Sequence, residues 1–487
     1  MAKAIEGLTP PLLWKYFAEI SAIPRCSKNE TAIARHLLET AGRLGLEAHQ
    51  DGAGNVVVRK PASPGRESLP MVCLQGHMDM VCEKNKDKVH DFQVDPLELV
   101  RHGNFLMANG TTLGADNGIA VATSLAIMED TTLDHGPLEF LFTVDEETGL
   151  TGANNLERGF LRSQTLLNLD SEEEGALYVG CSGGRDSTGT WTAEREEVPG
   201  GMVPLAVKIG GLKGGHSGLE IHQGRGNSLK ILGRLLRCLE GLGGRIARME
   251  GGNKRNAIPR EAEAVVFVPA GAEEEARQCA QRLHEAVAAE FATVDPGAAI
   301  TVHRADEAPA QVLGQALQRR VLLAIAGLPH GVLKMSPDIP GLVETSTNLA
   351  ILKTDDQAIT IQTSQRSSVQ SEIEEAADMV RGIFELSGAQ VTGSDGYPGW
   401  KPNLASPILG VAMRTYKDLY GREPEVKAVH AGLECGIIGE KYPGMDMVSL
   451  GPTLEGVHSP DEKIYIDTVE KFWDYVLAIL KNVGARG

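Results

Sequence analysis

Two histidines and a scatter of carboxylates stand where apolar runs of the sequence end. His77 and Asp79 follow Met71 to Leu74, and Asp145, Glu146 and Glu147 follow Leu138 to Val144. Asp170 follows Leu166 to Leu169, and His458 comes after Met445 to Leu450. Asp116, within Gly114-Ala115-Asp116-Asn117-Gly118, lies directly before a helical stretch. Imidazole nitrogens and carboxylate oxygens, with no thiolate required, suit zinc, manganese or cobalt better than calcium. If two such ions sit roughly 3.5–4 Å apart, one carboxylate must bridge them and a hydroxide can be held between them. Asp116 is the expected bridge. Glu146 and Glu147 cannot point the same way along an extended segment, so one is free to bind metal while its neighbour handles a proton. His77 and Asp79, two residues apart, face the same side, which lets Asp79 hold the ring nitrogen of His77 that metal does not use. Singly, a strand-end histidine is usually just hydrogen-bonded and an acidic triplet is usually a solvated turn. The chemistry depends on these groups converging.

Convergence needs a particular scaffold. Helical spacing at Pro10 to Ile23 and Asn29 to Leu44 gives way to short apolar runs at Val56 to Val58, Pro70 to Leu74, Leu138 to Val144 and Thr165 to Leu169, with a helical Gly118 to Met128 between. Strands alternating with helices predict an α/β domain built on a mainly parallel sheet, whose strand ends share one ligand-binding edge. Composition shifts toward Gly, Ser, Thr and charge around Cys181 to Glu197 and again at Gly388 to Pro402, marking boundaries. Between them two similar patterns recur. The first has strands at Val203 to Ile209, near Ala257 to Val268 and at Ala299 to His303, with helices at Asn227 to Leu242 and Glu273 to Ala292. The second has helices at Gln311 to Ala326 and Glu372 to Ser387 around strands at Leu349 to Thr354 and Ala358 to Ser364. The expected domains are 1–184 and 395–487 as two segments of a catalytic domain, and 185–394 as an inserted α+β domain of two similar halves. A helix at Ile408 to Tyr420, a strand at Met445 to Leu450 and a helix at Asp467 to Val483 rejoin the first domain.

Composition narrows the classes. With 47 Lys plus Arg against 65 Asp plus Glu, the net charge of −18 argues against nucleic acid or an anionic membrane surface and favours a cationic partner. No run approaches the ~18 apolar residues of a membrane span, and the N-terminus lacks a signal-peptide pattern, so the expected compartment is cytoplasmic. The seven cysteines are odd in number and include no C-x-x-C pair, which predicts thiols without a disulfide framework or a thiolate zinc site.

The motifs are also specific in order. Gly76-His77-Met78-Asp79-Met80, Gly114-Ala115-Asp116-Asn117-Gly118, Asp145-Glu146-Glu147-Thr148-Gly149, Asn168-Leu169-Asp170 and Gly456-Val457-His458-Ser459-Pro460 resemble, across nearly the whole chain, the co-catalytic zinc aminopeptidase and carboxypeptidase clan. Ile23-Pro24-Arg25-Cys26-Ser27 and His430-Ala431-Gly432-Leu433-Glu434-Cys435-Gly436 are similar to its aminoacyl-histidine dipeptidase branch. The resemblance implies a dinuclear metallo-dipeptidase with two divalent ions, zinc first and manganese or cobalt as substitutes. His77, Asp116 and Asp170 would hold one ion, and Asp116, Glu147 and His458 the other. Glu146 would be the general base and Asp79 the support of His77. Substrates implied are dipeptides, Xaa-His such as carnosine among them, with a related aminoacylase or tripeptidase as the nearest alternative.

The same resemblance makes the inserted domain a lid. Gly214-Gly215-His216-Ser217-Gly218 is similar to the segment whose histidine stabilises a tetrahedral oxyanion, and Asn256 and Arg366 match positions that hold the substrate near its carbonyl and terminal carboxylate. A guanidinium can grip a carboxylate through two parallel hydrogen bonds, which independently favours Arg366. Glu434, in a glycine-flanked loop, could pair with a substrate ammonium. Related lids often dimerise, implying a homodimer, although a doubled lid could enclose the site within one chain. Two remote alternatives remain. Gly180-Cys181-Ser182-Gly183-Gly184 fits the nucleophile elbow of serine hydrolases, though no helical pattern follows it. A metal-braced binding protein without catalysis is the other.

Overall fold

A computed structural model describes residues 2–484 of the chain, which divides into two compact units. The first comprises residues 1–180, 400–428 and 433–487, and the second residues 181–399 and 429–432.

The first unit is built on an eight-stranded sheet. Its order is Glu47–Gln50, Val56–Lys60, Leu138–Thr143, Val72–His77, Thr165–Asn168, Asp446–Ser449, Ala176–Cys181 and Glu425–Val429. Val72–His77 runs parallel to both neighbours, and Thr165–Asn168 is parallel to Asp446–Ser449, whereas the Val56–Lys60 edge is antiparallel. Val72–His77 and Leu138–Thr143 are buried along their whole length, which explains why they read as continuous apolar runs rather than alternating ones. The helix Ala115–Glu129 is buried on nearly every side, with the small side chain of Ala120 packed against Gly76 of the sheet. A separate four-stranded sheet pairs Leu454–Glu455 with Lys463–Tyr465, and adds Phe105–Ala108 and Leu99–His102.

The second unit contains a nine-stranded antiparallel sheet. A four-stranded group and a five-stranded group meet along Arg245–Gly251 and Val343–Thr354, where Gly251 faces Leu352. Each group carries its own helices, Ser228–Gly241 and Glu273–Glu290 on one, Gln370–Leu386 on the other. A shared core runs through Leu205, Leu232, Leu235, Val266, Ile361 and Phe384. The expected helix from Gln311 is corrected: Gln311–Leu313 pairs as a strand with Arg195–Glu197, and the helix, Gln315–Gly327, starts only beyond Gly314, whose backbone is extended.

The cysteine expectation is also corrected. Cys26 pairs with Cys82 and Cys238 with Cys279, across sequence separations of 56 and 41, while Cys73, Cys181 and Cys435 are buried outside these pairs. Proximity of this kind is created by tertiary packing, and linear spacing does not reveal it. Among the described residues no helix is long and apolar enough to cross a membrane.

Candidate metal centre

The first unit brings its acids and imidazoles together at the carboxyl ends of the parallel strands. His77 closes the strand Val72–His77, and Asp170 lies just past Thr165–Asn168. Asp116 sits at the start of Ala115–Glu129, where it and Asn117 depart from helical geometry and are joined by a cis peptide. His458 lies not on the connection leaving Asp446–Ser449 but farther on, in the hairpin between Leu454–Glu455 and Lys463–Tyr465, with φ of 62°. A left-handed backbone at a non-glycine residue is costly and is kept where surrounding structure dictates it.

Asp116 spans the two imidazoles, one oxygen to each. Oδ1 lies 3.1 Å from His77 Nε2 and Oδ2 lies 3.1 Å from His458 Nε2. Asp170 Oδ1 approaches His77 Nε2 at 3.4 Å, and Glu147 Oε2 approaches His458 Nε2 at 3.0 Å. Two triads follow, His77–Asp116–Asp170 and Asp116–Glu147–His458, each offering ligand atoms within 4.8 Å of one another. Glu147 Oε1 and Asp170 Oδ1 are buried without a hydrogen-bond partner. Orphaned carboxylate oxygens inside a nitrogen-and-oxygen donor set are what a divalent cation satisfies, so these residues fit the metal the motifs imply.

Electrostatics points the same way. Although burial opposes it, Asp170, Asp116 and Asp79 drive the His77 imidazole well above its usual range. Hydrogen bonds to Asp116 and Glu147 push His458 up to about 11. The cage thus favours positive charge at both imidazoles.

Asp79 is fully buried. Its Oδ1 lies 3.3 Å from His77 Nδ1, leaving Nε2 directed at Asp116. The same carboxylate accepts the backbone N–H of Glu146 and of Glu147, at 3.1 and 3.3 Å, and the Ser27 hydroxyl at 2.7 Å. His77 holds it down to about 2 against the opposing effect of burial. Glu146 and Glu147 lie not on an extended segment but in a helical turn, Glu146–Gly149. Consecutive helical residues still diverge by about 100°, so their separate directions survive the correction. Burial raises the Glu146 carboxyl well above the usual carboxylate range, with Asp170, Glu434 and Glu147 adding and His77 opposing.

Three supports carried no role in the sequence. The Glu462 carboxylate accepts the backbone N–H groups of Leu113, Gly114, Ala115 and Asp116 at 2.8–3.3 Å, cradling the turn that presents Asp116. Its position four residues after His458 was the available signal. Arg25, buried, donates to the carbonyls of Met78 and Asp79 at 3.1 and 3.0 Å and to that of Gly114. Asn117 accepts His77 N–H and donates to the Leu169 carbonyl.

Glu434 departs from expectation. It is sealed from solvent, with Oε2 accepting Gln75 Nε2 at 2.6 Å and Thr143 Oγ1 at 2.7 Å. A carboxylate without accessible surface cannot receive a substrate ammonium in this conformation, and that reading is set aside.

In the second unit, His216 pairs with Ala257 in a two-stranded ribbon, beside Asn256. Both line a cavity of about 620 Å³. His216 Nδ1 accepts the N–H groups of Gly218 and Leu219, so the ring proton resides on Nε2. Burial and the nearby Arg366 lower this imidazole to about 4, keeping it neutral. Arg366 is buried on Ala358–Ser367, and its Nη1 donates to Tyr397 Oη at 3.0 Å. Ser182 is buried between two strands, Ala176–Cys181 and Gly183–Thr192, so no helix follows it and the nucleophile-elbow alternative fails.

Residues 73–482 match the model of peptidase family M20/M25/M40, and the chain belongs to that family. Its resemblance to particular members extends over its full length. It is 39% identical to the cytosol non-specific dipeptidase of Escherichia coli (strain K12) over 483 residues, covering 99% of both chains. Its backbone matches that of an aminoacylhistidine dipeptidase from Vibrio alginolyticus with a TM-score of 0.91 and 42% identity, over 99% of each chain. The aminopeptidase PepT from Bacillus cereus, 18% identical with a TM-score of 0.57 over 98% of this chain and 99% of its own, shares the fold. The clan resemblance carried by the motifs is borne out.

Proposed function

We propose that the protein is a metal-dependent dipeptidase acting in the cytoplasm, with Xaa-His dipeptides among its substrates. The observation that carries the reading is Asp116, one carboxylate shared between His77 and His458 with Glu146 beside the same cage. Full-length similarity to a cytosol non-specific dipeptidase and to an aminoacylhistidine dipeptidase supports the substrate class and the compartment.

His77, Asp116 and Asp170 would hold one divalent ion and Asp116, Glu147 and His458 a second, zinc being the first choice by donor type. Such ions supply polarisation of the scissile carbonyl and acidification of a nearby water. Glu146 takes a proton from the attacking water and delivers it to the departing amine, a role that suits a carboxyl whose proton affinity burial has raised. Asp79 fixes the ring of His77 and, through the N–H groups of Glu146 and Glu147, the turn that carries the base. In the second unit, His216 Nε2–H is assigned to the developing oxyanion, Asn256 to the substrate near its carbonyl and Arg366 to its terminal carboxylate.

The test is hydrolysis by chelated and metal-restored protein of a panel containing carnosine, other Xaa-His and non-His dipeptides, tripeptides and N-acyl amino acids. Chelation should abolish dipeptide cleavage and zinc, manganese or cobalt should restore it. Exclusive cleavage of N-acyl amino acids or tripeptides, or activity indifferent to chelation, would reject the proposal.

A further inference from the structure

Beneath the metal cage the interior of the first unit holds an unusual tier of polar side chains. Gln75, Thr143, Asn168 and Glu434 are each fully buried. Asn168 Nδ2 donates to Gln75 Oε1 at 2.6 Å, Gln75 Nε2 donates to Glu434 Oε2 at 2.6 Å, and Thr143 Oγ1 donates to the same oxygen at 2.7 Å. The strands involved are those that deliver the cage. Gln75 precedes His77 by two residues on one strand and so shares its side, and Asn168 closes the strand that runs on to Asp170 two residues later. Gln75 and Asn168 are direct partners across the parallel pair, as are His77 and Thr143.

Glu434 also determines the polarity of this chain of bonds. A carboxylate can only accept, so the Gln75 amide must turn its NH2 toward Glu434 and its oxygen toward Asn168. The arrangement is costly to folding, since Glu434 Oε1 and Asn168 Oδ1 are buried without hydrogen-bond partners. An apolar residue would fill the position more cheaply, which points to a return other than stability.

We propose that Glu434 is a positioning residue for the His77–Asp170 side of the metal centre: by gripping Gln75, whose amide oxygen accepts from Asn168, it fixes the spacing of the two strands that lead to His77 and Asp170. This rests on the metal-binding reading above. On the other side, His458 comes from the hairpin between Leu454–Glu455 and Lys463–Tyr465, and Glu147 from the Glu146–Gly149 turn beyond Thr143, where its N–H is held by Asp79; the tier's hydrogen bonds reach neither residue.

The experiment is cobalt(II) titration of the full chain, followed by visible absorption and calorimetry, with Asp170→Ala and His458→Ala variants identifying the two binding phases. Glu434→Met should weaken the phase lost in Asp170→Ala by about ten- to a hundredfold while changing the other by less than about threefold. Glu434→Gln, which keeps an acceptor in place, should restore that phase to within about threefold of the parent. The thermal midpoint of the metal-free Glu434→Met protein should not fall. Gln75→Met cuts the same link from the other end and should show the same selective loss, which covers the case in which Glu434→Met does not fold. Equal weakening of both phases, unchanged binding, or a Glu434→Gln variant as impaired as Glu434→Met would overturn the inference. Failure of the parent protein to bind cobalt in a phase sensitive to Asp170→Ala would instead refute the metal reading, and this inference with it.

Discussion

Asp116 and His458, 342 residues apart in the chain, meet at 3.1 Å through Oδ2 and Nε2. The contact joins the helix-initiating turn at Ala115–Glu129 to a hairpin near the C-terminus, and it defines half of the proposed metal centre. Metal content should therefore respond to either residue. His458→Ala is expected to lose about one equivalent of bound zinc per chain and Asp116→Ala to lose both, as measured by elemental analysis after dialysis.

Glu146, the proposed base, belongs to neither of the two proposed ligand triads. Glu146→Ala should retain both metal equivalents and lose about 10²–10⁴-fold in kcat, the range for removal of a general base. A variant that hydrolyses dipeptides at the parent rate would sink the assignment.

The Glu462 carboxylate gathers four backbone N–H groups around the Asp116 turn. Glu462→Ala strands those donors in the interior. Expected costs are about 1–3 kcal/mol in unfolding free energy and about ten- to a hundredfold in metal affinity, read by urea titration and by competition with a chromophoric chelator.

Arg366 offers a forked donor where a point charge would be inferior. Arg366→Lys should raise KM for dipeptides with kcat little changed, and the defect should shrink for substrates whose terminal carboxylate is amidated. A variant with unchanged KM for free dipeptides would remove Arg366 from the substrate site.

Much of this was legible in the sequence because it rests on periodicity and order. The buried parallel strands announce themselves as apolar runs, and His77, Glu146, Glu147 and Asp170 stand close behind them. Supports made by tertiary packing left no such trace. Arg25 and Glu462 work through carbonyls and amides of distant segments, and nothing local distinguishes a cradling carboxylate from a solvated one. Glu434 was misread for the same reason: its flanking glycines suggested an open loop, whereas the residue begins the buried turn of helix Glu434–Lys441. The cysteine pairs and the strand at Gln311–Leu313 likewise depend on partners far away in the chain.

The second unit should carry its own acid sensitivity. His330 Nδ1 lies 3.2 Å from Asn227 Nδ2, and Asn227 caps the helix Ser228–Gly241 while donating to the Leu349 carbonyl. Burial, reinforced by Lys230, lowers the His330 imidazole from 6.5 to about 4. A lowered histidine binds fewer protons folded than unfolded, so its contribution is intact above pH about 6.5 and is lost as pH falls toward about 4. Between those limits the parent should lose about 3 kcal/mol more than His330→Gln, measured by denaturant unfolding at several pH values. Parallel curves for the two proteins would refute the assignment.

The hairpin that contains His458 also contains Glu462, the clamp on the Asp116 turn. One short hairpin thus carries a proposed ligand of its own and fixes the posture of another. Anyone transplanting this centre into a different scaffold, or recombining homologous genes across it, would have to move that hairpin together with its Asp116 turn as an indivisible cassette, because a crossover between them would pair a clamp with a loop it was never shaped to hold.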